Sequence, residues 1–141
     1  TVLSGVPDAL PSLVKAYRIQ DKARNVGFDW EERRDVWKKV KEEITEFEAE
    51  VETLYNNAET EEAKAAAKKH ATEEFGDVMF SLINAARLYN INPDNALDDT
   101  NQKFIKRFNY VEAKAKDQGQ DLKDLTLEQM DAWWNEAKQF H

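Results

Sequence analysis

Apolar residues recur every three or four positions along most of the chain, which is the spacing of α-helices that bury one face. The most regular stripe predicts a second helix and consists of Trp37, Val40, Ile44, Phe47, Val51 and Leu54. Similar segments predict a first helix over about residues 12–25, a third from Thr60, a fourth from Pro93 and a short fifth after Thr126. No segment alternates as a strand does. We therefore predict an all-α bundle of about five helices.

Capping residues set the expected boundaries of these helices. Asp29 is a candidate cap for the second helix, and Asn92 with Pro93 marks the start of the fourth. Thr126 and Gln129 have the spacing of a capping box. The broad apolar stripe in the second half of the third helix indicates deep burial. Residues 1–11, with one glycine and two prolines, are predicted to be an arm or linker, which leaves residues 12–141 as one helical domain.

Composition restricts the class of protein. A chain of 141 residues holds one core. It contains no cysteine, which excludes disulfides and thiolate metal sites and fits a cytoplasmic location. A net charge of −8 argues against nucleic-acid binding, and no apolar run suits a membrane span. The chain begins at Thr1 instead of Met, as expected of a fragment or a processed product.

Two short acidic clusters lie on the second and third predicted helices. They are Glu42-Glu43-x-x-Glu46 and Glu73-Glu74-x-x-Asp77. At ~100° per residue, each cluster places one acid ~100° and another ~160° to the same side of its apolar stripe. These four acids are Glu43, Glu46, Glu74 and Asp77. Because a short connection makes consecutive helices antiparallel, like flanks meet, and the four carboxylates are expected to converge.

Convergent carboxylates repel one another unless a cation lies between them. The two histidines, His70 and His141, do not follow a glutamate by three residues, as a di-iron bundle requires. Zinc prefers His or Cys ligands. An all-oxygen set therefore predicts Mg²⁺, with Mn²⁺ as the alternative. The competing interpretation is that both clusters are ordinary solvated helix surface.

Several cationic side chains are candidate phosphate contacts. Lys103 and Arg107 are four residues apart and share a helix face, and Lys39 precedes Glu43 by one turn. Arg offers a planar fork and Lys a point charge to phosphate oxygens. The alternative is that Lys103 and Arg107 form salt bridges with neighbouring acids.

Other polar and aromatic side chains are candidate contacts for a nucleoside. Asn84 lies opposite the apolar stripe of the third helix, as does Arg87, so Asn84 either hydrogen-bonds a base or sugar or faces solvent. Trp133 and Trp134 are adjacent on the fifth helix, so their rings point in different directions. Tryptophans on such a short helix more often belong to the core, and the alternative is that one of the two rings stacks on a ligand.

An ordered set of motifs resembles the MazG-type nucleoside triphosphate pyrophosphohydrolases, which belong to the all-α NTP pyrophosphatase superfamily. The acidic clusters match the family's EExxE and ExxD pattern. The resemblance extends over nearly the whole chain, to the C-terminal domain of two-domain bacterial members. The further motifs are Leu10-Pro11-Ser12-Leu13, Ile19-Gln20, Val26-Gly27-Phe28-Asp29-Trp30, Glu74-Phe75-Gly76-Asp77, Asn84-x-Ala86-Arg87 and Lys103-Phe104-x-x-Arg107-Phe108.

The resemblance implies hydrolysis of a (deoxy)nucleoside triphosphate between the α and β phosphorus atoms, giving a monophosphate and pyrophosphate. It implies Mg²⁺ ligation by Glu43, Glu46, Glu74 and Asp77, with one of these or Glu42 orienting the attacking water. It also implies phosphate contacts from Lys39, Lys103 and Arg107, and nucleoside contacts from Asn84 and Trp134. Relatives form dimers or tetramers, so a homodimer or homotetramer is expected here.

One departure from the family pattern and two other functions stay open. The segment over residues 56–69 is longer than in several relatives, and His70 stands where those relatives often carry Lys. Base preference or phosphate binding is expected to differ as a result. The first alternative function is a non-catalytic helical interaction or regulatory module. The second is a base-specific dUTP or dCTP hydrolase of the same superfamily.

Overall fold

The chain folds entirely into helices and turns. The computed structural model describes the backbone of all 141 residues and every side chain except that of Tyr55. Its five α-helices, with no strand in the described chain, confirm the all-α prediction. They are α1 (Ser12–Asn25), α2 (Val36–Glu50), α3 (Glu61–Leu88), α4 (Pro93–Asp117) and α5 (Leu127–Ala137). Short 3-10 turns precede α2 (Arg33–Asp35) and α5 (Leu122–Asp124), and a π-helical turn (Val51–Tyr55) follows α2.

Most of the predicted helix boundaries are confirmed. The Thr60 hydroxyl accepts a hydrogen bond from the Ala63 amide at 3.0 Å, which caps α3. At α5, the Gln129 amide donates to the Thr126 hydroxyl and the Thr126 amide donates to Gln129 Oε1, each at 3.1 Å. This is the predicted capping box. Helix α4 begins at Pro93, as the sequence predicts.

The prediction that Asp29 caps the second helix is wrong. Helix α2 begins at Val36, and the Asp29 carboxylate instead accepts hydrogen bonds from Arg87 of α3. A buried guanidinium is a stronger partner for a carboxylate than the exposed amides of a helix end, because the hydrogen bonds are charge-assisted on both sides.

The chain divides into two compact units, residues 1–94 (unit 1) and residues 95–141 (unit 2). Unit 1 contains α1, α2 and α3. Its buried cluster is small and consists of Val36, Val40 and Ala85, with Leu88 and Tyr89 packed against it. Helices α2 and α3 therefore form the main packed pair, and they carry both acidic clusters.

The expected deep burial of the α3 stripe is confirmed only for part of it, since Val78 and Ile83 are buried. Phe75, Met79 and Leu82 are 41–49% exposed, and Ile44 of α2 is 36% exposed. The two helices meet instead through faces that lie ~80° away, toward the acidic flanks, where Val40 and Glu43 are buried. Glu43 is consequently enclosed at this contact, whereas Glu46 and Asp77 stay exposed beside it.

Unit 2 contains α5 and α4 from residue 95 onward. The Trp134 ring packs 4.9 Å from that of Phe104, measured between centroids, and Val111, Ala115 and Ala137 are buried. The Tyr110 hydroxyl donates to the Glu136 carboxylate, which also pairs with Lys114 at 3.5 Å. None of the described helices is long and apolar enough to span a membrane.

Candidate functional site

Three of the predicted acids come together between α2 and α3. Glu43, Glu46 and Glu74 each place a carboxylate oxygen within 4.8 Å of the others, and we call these three residues the acid cluster. Asp77, the fourth predicted member, is outside this group by that distance. It lines a cavity together with Glu43. Glu42 is exposed and outside the acid cluster, as its helical angle predicts.

The acid cluster carries negative charge that its surroundings do not balance. Burial raises the pKa of Glu74, and the charges of Glu46, Asp77, Glu43 and Glu50 raise it further. One oxygen each of Glu43, Glu50 and Glu74 is closed off from solvent without a hydrogen-bond partner. Carboxylates in this state are destabilising on their own, so the arrangement favours a bound cation.

One cation of the chain already contacts the acid cluster. Lys39 Nζ lies 2.6 Å from Glu43 Oε1, and this hydrogen bond raises the pKa of the lysine. The lysine side chain is 47% exposed whereas that of Glu43 is 9% exposed. Lys39 therefore reaches from solvent to the edge of the cluster and satisfies only one of the two Glu43 oxygens.

A cavity of about 780 Å³ opens beside the acid cluster within unit 1. Its charged lining residues are Lys39, Glu43 and Asp77, together with Asp29 and Arg87. The remaining wall is largely apolar and includes the rings of Phe28 and Trp30 from the segment between α1 and α2. A cavity that joins an apolar wall to a group of carboxylates suits a ligand with one flat apolar part and one anionic part held through a cation.

The wall of this cavity also carries a partly buried ion pair that the sequence did not predict. Arg87 Nη2 lies 2.7 Å from Asp29 Oδ1 and 2.7 Å from Asn84 Oδ1. Arg87 is only 6% exposed, although its helical position is opposite the apolar stripe of α3. Burial lifts the pKa of Asp29, but the hydrogen bonds from Arg87 and the Trp30 amide, with the charges of Arg87 and Arg24, bring it below its usual value.

The remaining predicted contacts lie in unit 2. Arg107 donates to the His141 carbonyl at 3.3 Å, and its guanidinium carbon lies 5.8 Å from the Trp134 ring centre. Its Nε is closed off without a partner. Lys103 is exposed. Within the described part of the chain neither Lys103 nor Arg107 forms an ion pair.

Curated proteins with a similar sequence show the family to which this chain belongs. The nucleoside triphosphate pyrophosphohydrolase of Escherichia coli K12 is 35% identical over 138 residues, which are 98% of this chain and 49% of that protein. The nucleoside triphosphate pyrophosphohydrolase/pyrophosphatase MazG of Thermotoga maritima is 34% identical over 129 residues, 92% of this chain and 45% of that protein. The chain belongs to the MazG family.

The match covers only part of each MazG relative, and a third curated protein is also similar to the chain. The chain spans about half the length of these two curated relatives. The uncharacterized protein YabN of Bacillus subtilis is 48% identical over 77 residues, which are 55% of this chain and 16% of that protein. No protein-family model matches the chain.

The residues of this MazG chain fit a hard divalent cation. The acid cluster offers only oxygen ligands, and two of those oxygens, one of Glu43 and one of Glu74, have no other partner. Mg²⁺ prefers such a set and keeps part of its water shell. The described histidines are outside the acid cluster, which argues against zinc.

Glu50 is the acid that sequence reasoning missed. It follows Glu43 by seven residues and Glu46 by four, so all three share one face of α2. Its carboxylate contributes to the raised pKa of Glu74 and has one enclosed oxygen without a partner. The i, i+3, i+7 spacing could have revealed it, but Glu50 falls outside the EExxE pattern of the MazG family.

Proposed function

We propose that the chain hydrolyses (deoxy)nucleoside triphosphates with Mg²⁺, cleaving between the α and β phosphorus atoms to give a nucleoside monophosphate and pyrophosphate. One water is consumed for each bond broken. Two relatives are named nucleoside triphosphate pyrophosphohydrolases, which supports this class of reaction. The observation that carries the proposal is the acid cluster, whose Glu43 lines a largely apolar cavity.

The acids are proposed to hold the cation and to place the water. Glu43, Glu46 and Glu74, with Asp77 beside them, are the proposed ligands. When bound, Mg²⁺ supplies positive charge that offsets the negative charge of the phosphate oxygens and of the transition state. Because Glu42 is outside the acid cluster, we assign the orientation of the attacking water to a carboxylate of the cluster instead.

Cationic side chains are proposed to position the phosphates. Lys39 places a positive point charge beside Glu43. Its ammonium group can exchange the Glu43 carboxylate for a phosphate oxygen. Lys103 and Arg107 of unit 2 are proposed phosphate contacts on the basis of the MazG pattern. Asn84 and Trp134 are proposed contacts of the nucleoside on the same basis.

We also propose that the protein is a homodimer or homotetramer. The exposed apolar residues of α2 and α3, including Ile44, Phe75, Met79 and Leu82, are more than an isolated helix pair normally leaves in water. A second copy would cover them. A cytoplasmic location and the absence of nucleic-acid binding are proposed from the lack of cysteine and the charge of −8.

The test is product analysis with a panel of ribo- and deoxyribonucleoside triphosphates in the presence of Mg²⁺. Phosphorus NMR resolves pyrophosphate from orthophosphate in the same sample. We expect equal amounts of monophosphate and pyrophosphate, and no turnover after chelation of the metal. Diphosphate together with orthophosphate would contradict the proposed cleavage position. The variant Glu43→Gln should lose turnover, whereas Glu48→Gln, an exposed acid of the same helix, should keep it.

A further inference from the structure

A chain of hydrogen bonds fixes the side chain of Asn84 in the wall of the cavity. Arg87 donates from Nε and Nη2 to Asn84 Oδ1, at 3.2 and 2.7 Å. The same guanidinium donates to both carboxylate oxygens of Asp29, at 3.3 and 2.7 Å. Asp29 precedes α2 and Arg87 lies on α3, so the pair connects two parts of the cavity wall.

The charge of Arg87 determines which end of the Asn84 amide faces the cavity. Rotating the amide by 180° would set its NH₂ group against the guanidinium, a contact between two donors. Oδ1 must therefore face Arg87, and Nδ2 must face away from it. Nδ2 has no partner among the described side chains and is not closed off from solvent, while Asn84 lines the cavity. The cavity thus presents a donor of fixed direction.

We propose that Asp29 and Arg87 are positioning residues that hold Asn84 as a hydrogen-bond donor to an acceptor on the nucleoside part of the substrate. The proposal rests on the proposed function. It adds two residues that do not touch the substrate themselves and it fixes the polarity of the contact. The acceptor is either a carbonyl oxygen or ring nitrogen of the base, or an oxygen of the sugar.

The placement of the donor suits this role. The cavity that Asn84 lines also contains Glu43 and Asp77, so a nucleotide with its phosphates at the acids has its nucleoside in the same space. The aromatic rings of Phe28 and Trp30 line that space and offer apolar surface to a base. Asp29 neutralises the buried charge of Arg87, which otherwise destabilises the fold.

A double-mutant cycle tests whether Asp29 acts through Asn84. We expect Asn84→Ala to raise the KM for a nucleoside triphosphate about tenfold, the value of one good hydrogen bond, with kcat changed much less. Asp29→Asn should raise KM severalfold. In the Asn84→Ala background, Asp29→Asn should raise KM no further. If the increase in KM of the double variant equals the product of the two single increases, the proposal is overturned, because Asp29 then acts independently of Asn84. Asp21→Asn, an exposed acid of α1, serves as the matched control.

Two substrates locate the acceptor. Ribose 5-triphosphate retains the sugar and the phosphates but lacks the base. If the variants raise KM for the nucleotide alone, the acceptor is on the base; if they raise it for both, the acceptor is on the sugar. Either result supports the donor. If Asn84→Ala leaves both KM values unchanged, the proposal is wrong.

A second variant covers a loss of folding by Asp29→Asn. Asn84→Asp retains an oxygen for Arg87 and replaces the donor with an acceptor, so it should raise KM at least as much as Asn84→Ala. Calorimetric binding of a non-hydrolysable nucleotide separates the two proposals. Suppose that wild type binds this nucleotide and that the effects of Asp29→Asn and Asn84→Ala on Kd do not multiply. The positioning role then stands even if the reaction products contradict the proposed cleavage position. If the cycle is additive in Kd, the positioning role fails whatever the products are.

Discussion

Lys39 Nζ and Glu43 Oε1 lie 2.6 Å apart, one turn of α2 from each other, and the acid is buried while the lysine reaches solvent. The acid cluster therefore has one cation of its own before any metal or substrate is bound. Surface ion pairs contribute little to stability, about 0–1 kcal/mol. The pair matters more for the charge of the site, because the ammonium group of Lys39 offsets one negative charge of the acid cluster.

Removing the lysine is expected to affect metal and substrate in opposite directions. Lys39→Ala leaves Glu43 without a partner, so calorimetry in the absence of nucleotide should show tighter Mg²⁺ binding. The same variant should raise KM for a nucleoside triphosphate about tenfold, because a charge-assisted hydrogen bond to a phosphate is lost. Lys38→Ala, the exposed neighbour, is the control for both measurements. Weaker Mg²⁺ binding by Lys39→Ala would show that the lysine does not compete with the metal.

Neutralising Glu74 should stabilise the protein when no metal is present. Burial and four neighbouring acids raise the pKa of this carboxyl in the folded state, so its ionised form is a cost. The protonated form of Glu74 therefore contributes to the free energy of unfolding. This contribution is present below the unfolded pKa, near 4.5, and is lost as pH rises through the higher folded value. We expect Glu74→Gln to melt above wild type at pH 7 in a chelator, and the gap to close in acid.

Magnesium should reverse the order of the two melting temperatures. Wild type gains stability from a ligand that binds only the folded state, and Glu74→Gln gains less. Glu73→Gln, on the exposed side of α3, should behave as wild type in both conditions. Equal Mg²⁺-induced shifts in wild type and Glu74→Gln would remove Glu74 from the metal site.

The Asp29–Arg87 pair predicts an acid-sensitive part of the stability. The folded pKa of Asp29 is below its usual value of 3.8, so its contribution is complete above that value and is lost as pH falls through the folded pKa. Asp29→Asn should lower the free energy of unfolding by about 2 kcal/mol at pH 7. Urea titrations of wild type and variant should show this gap shrinking below about pH 4. A gap that stays constant to about pH 2 would assign the loss to packing instead of charge.

The exposed face of α3 predicts self-association. Met79 and Leu82 are 41% and 44% exposed and lie within one turn of each other. Met79→Glu with Leu82→Glu places two charges on the face that a second copy is proposed to cover. Light scattering should show a lower mass for this variant than for wild type at the same concentration. Lys68→Glu, an exposed residue earlier in α3, should leave the mass unchanged.

Sequence periodicity predicted the helices but not which faces meet. Capping signals at Thr60 and Thr126 are local, so they could be read from neighbouring residues and are confirmed. The partner of each helix face is set by contacts distant in sequence. Phe75 was therefore expected in the core but is 49% exposed.

The acid cluster was predictable because helical angle and antiparallel connection are both general rules, and Glu43, Glu46 and Glu74 follow them. The Asp29–Arg87 pair was not predictable. Its members are 58 residues apart, and Asp29 had a plausible local role as a helix cap. A long-range ion pair leaves no periodic signal in the sequence.

A crystal structure with Mg²⁺ and an α,β-imido nucleoside triphosphate tests the central claim most directly, because it locates metal, phosphates and nucleoside together. We predict Mg²⁺ at about 2.1 Å from carboxylate oxygens of Glu43, Glu46 and Glu74, with the α and β phosphates beside it. The nucleoside should occupy the cavity that Asn84 lines. Mg²⁺ held by other residues, or a nucleotide bound away from the acid cluster, would contradict the account.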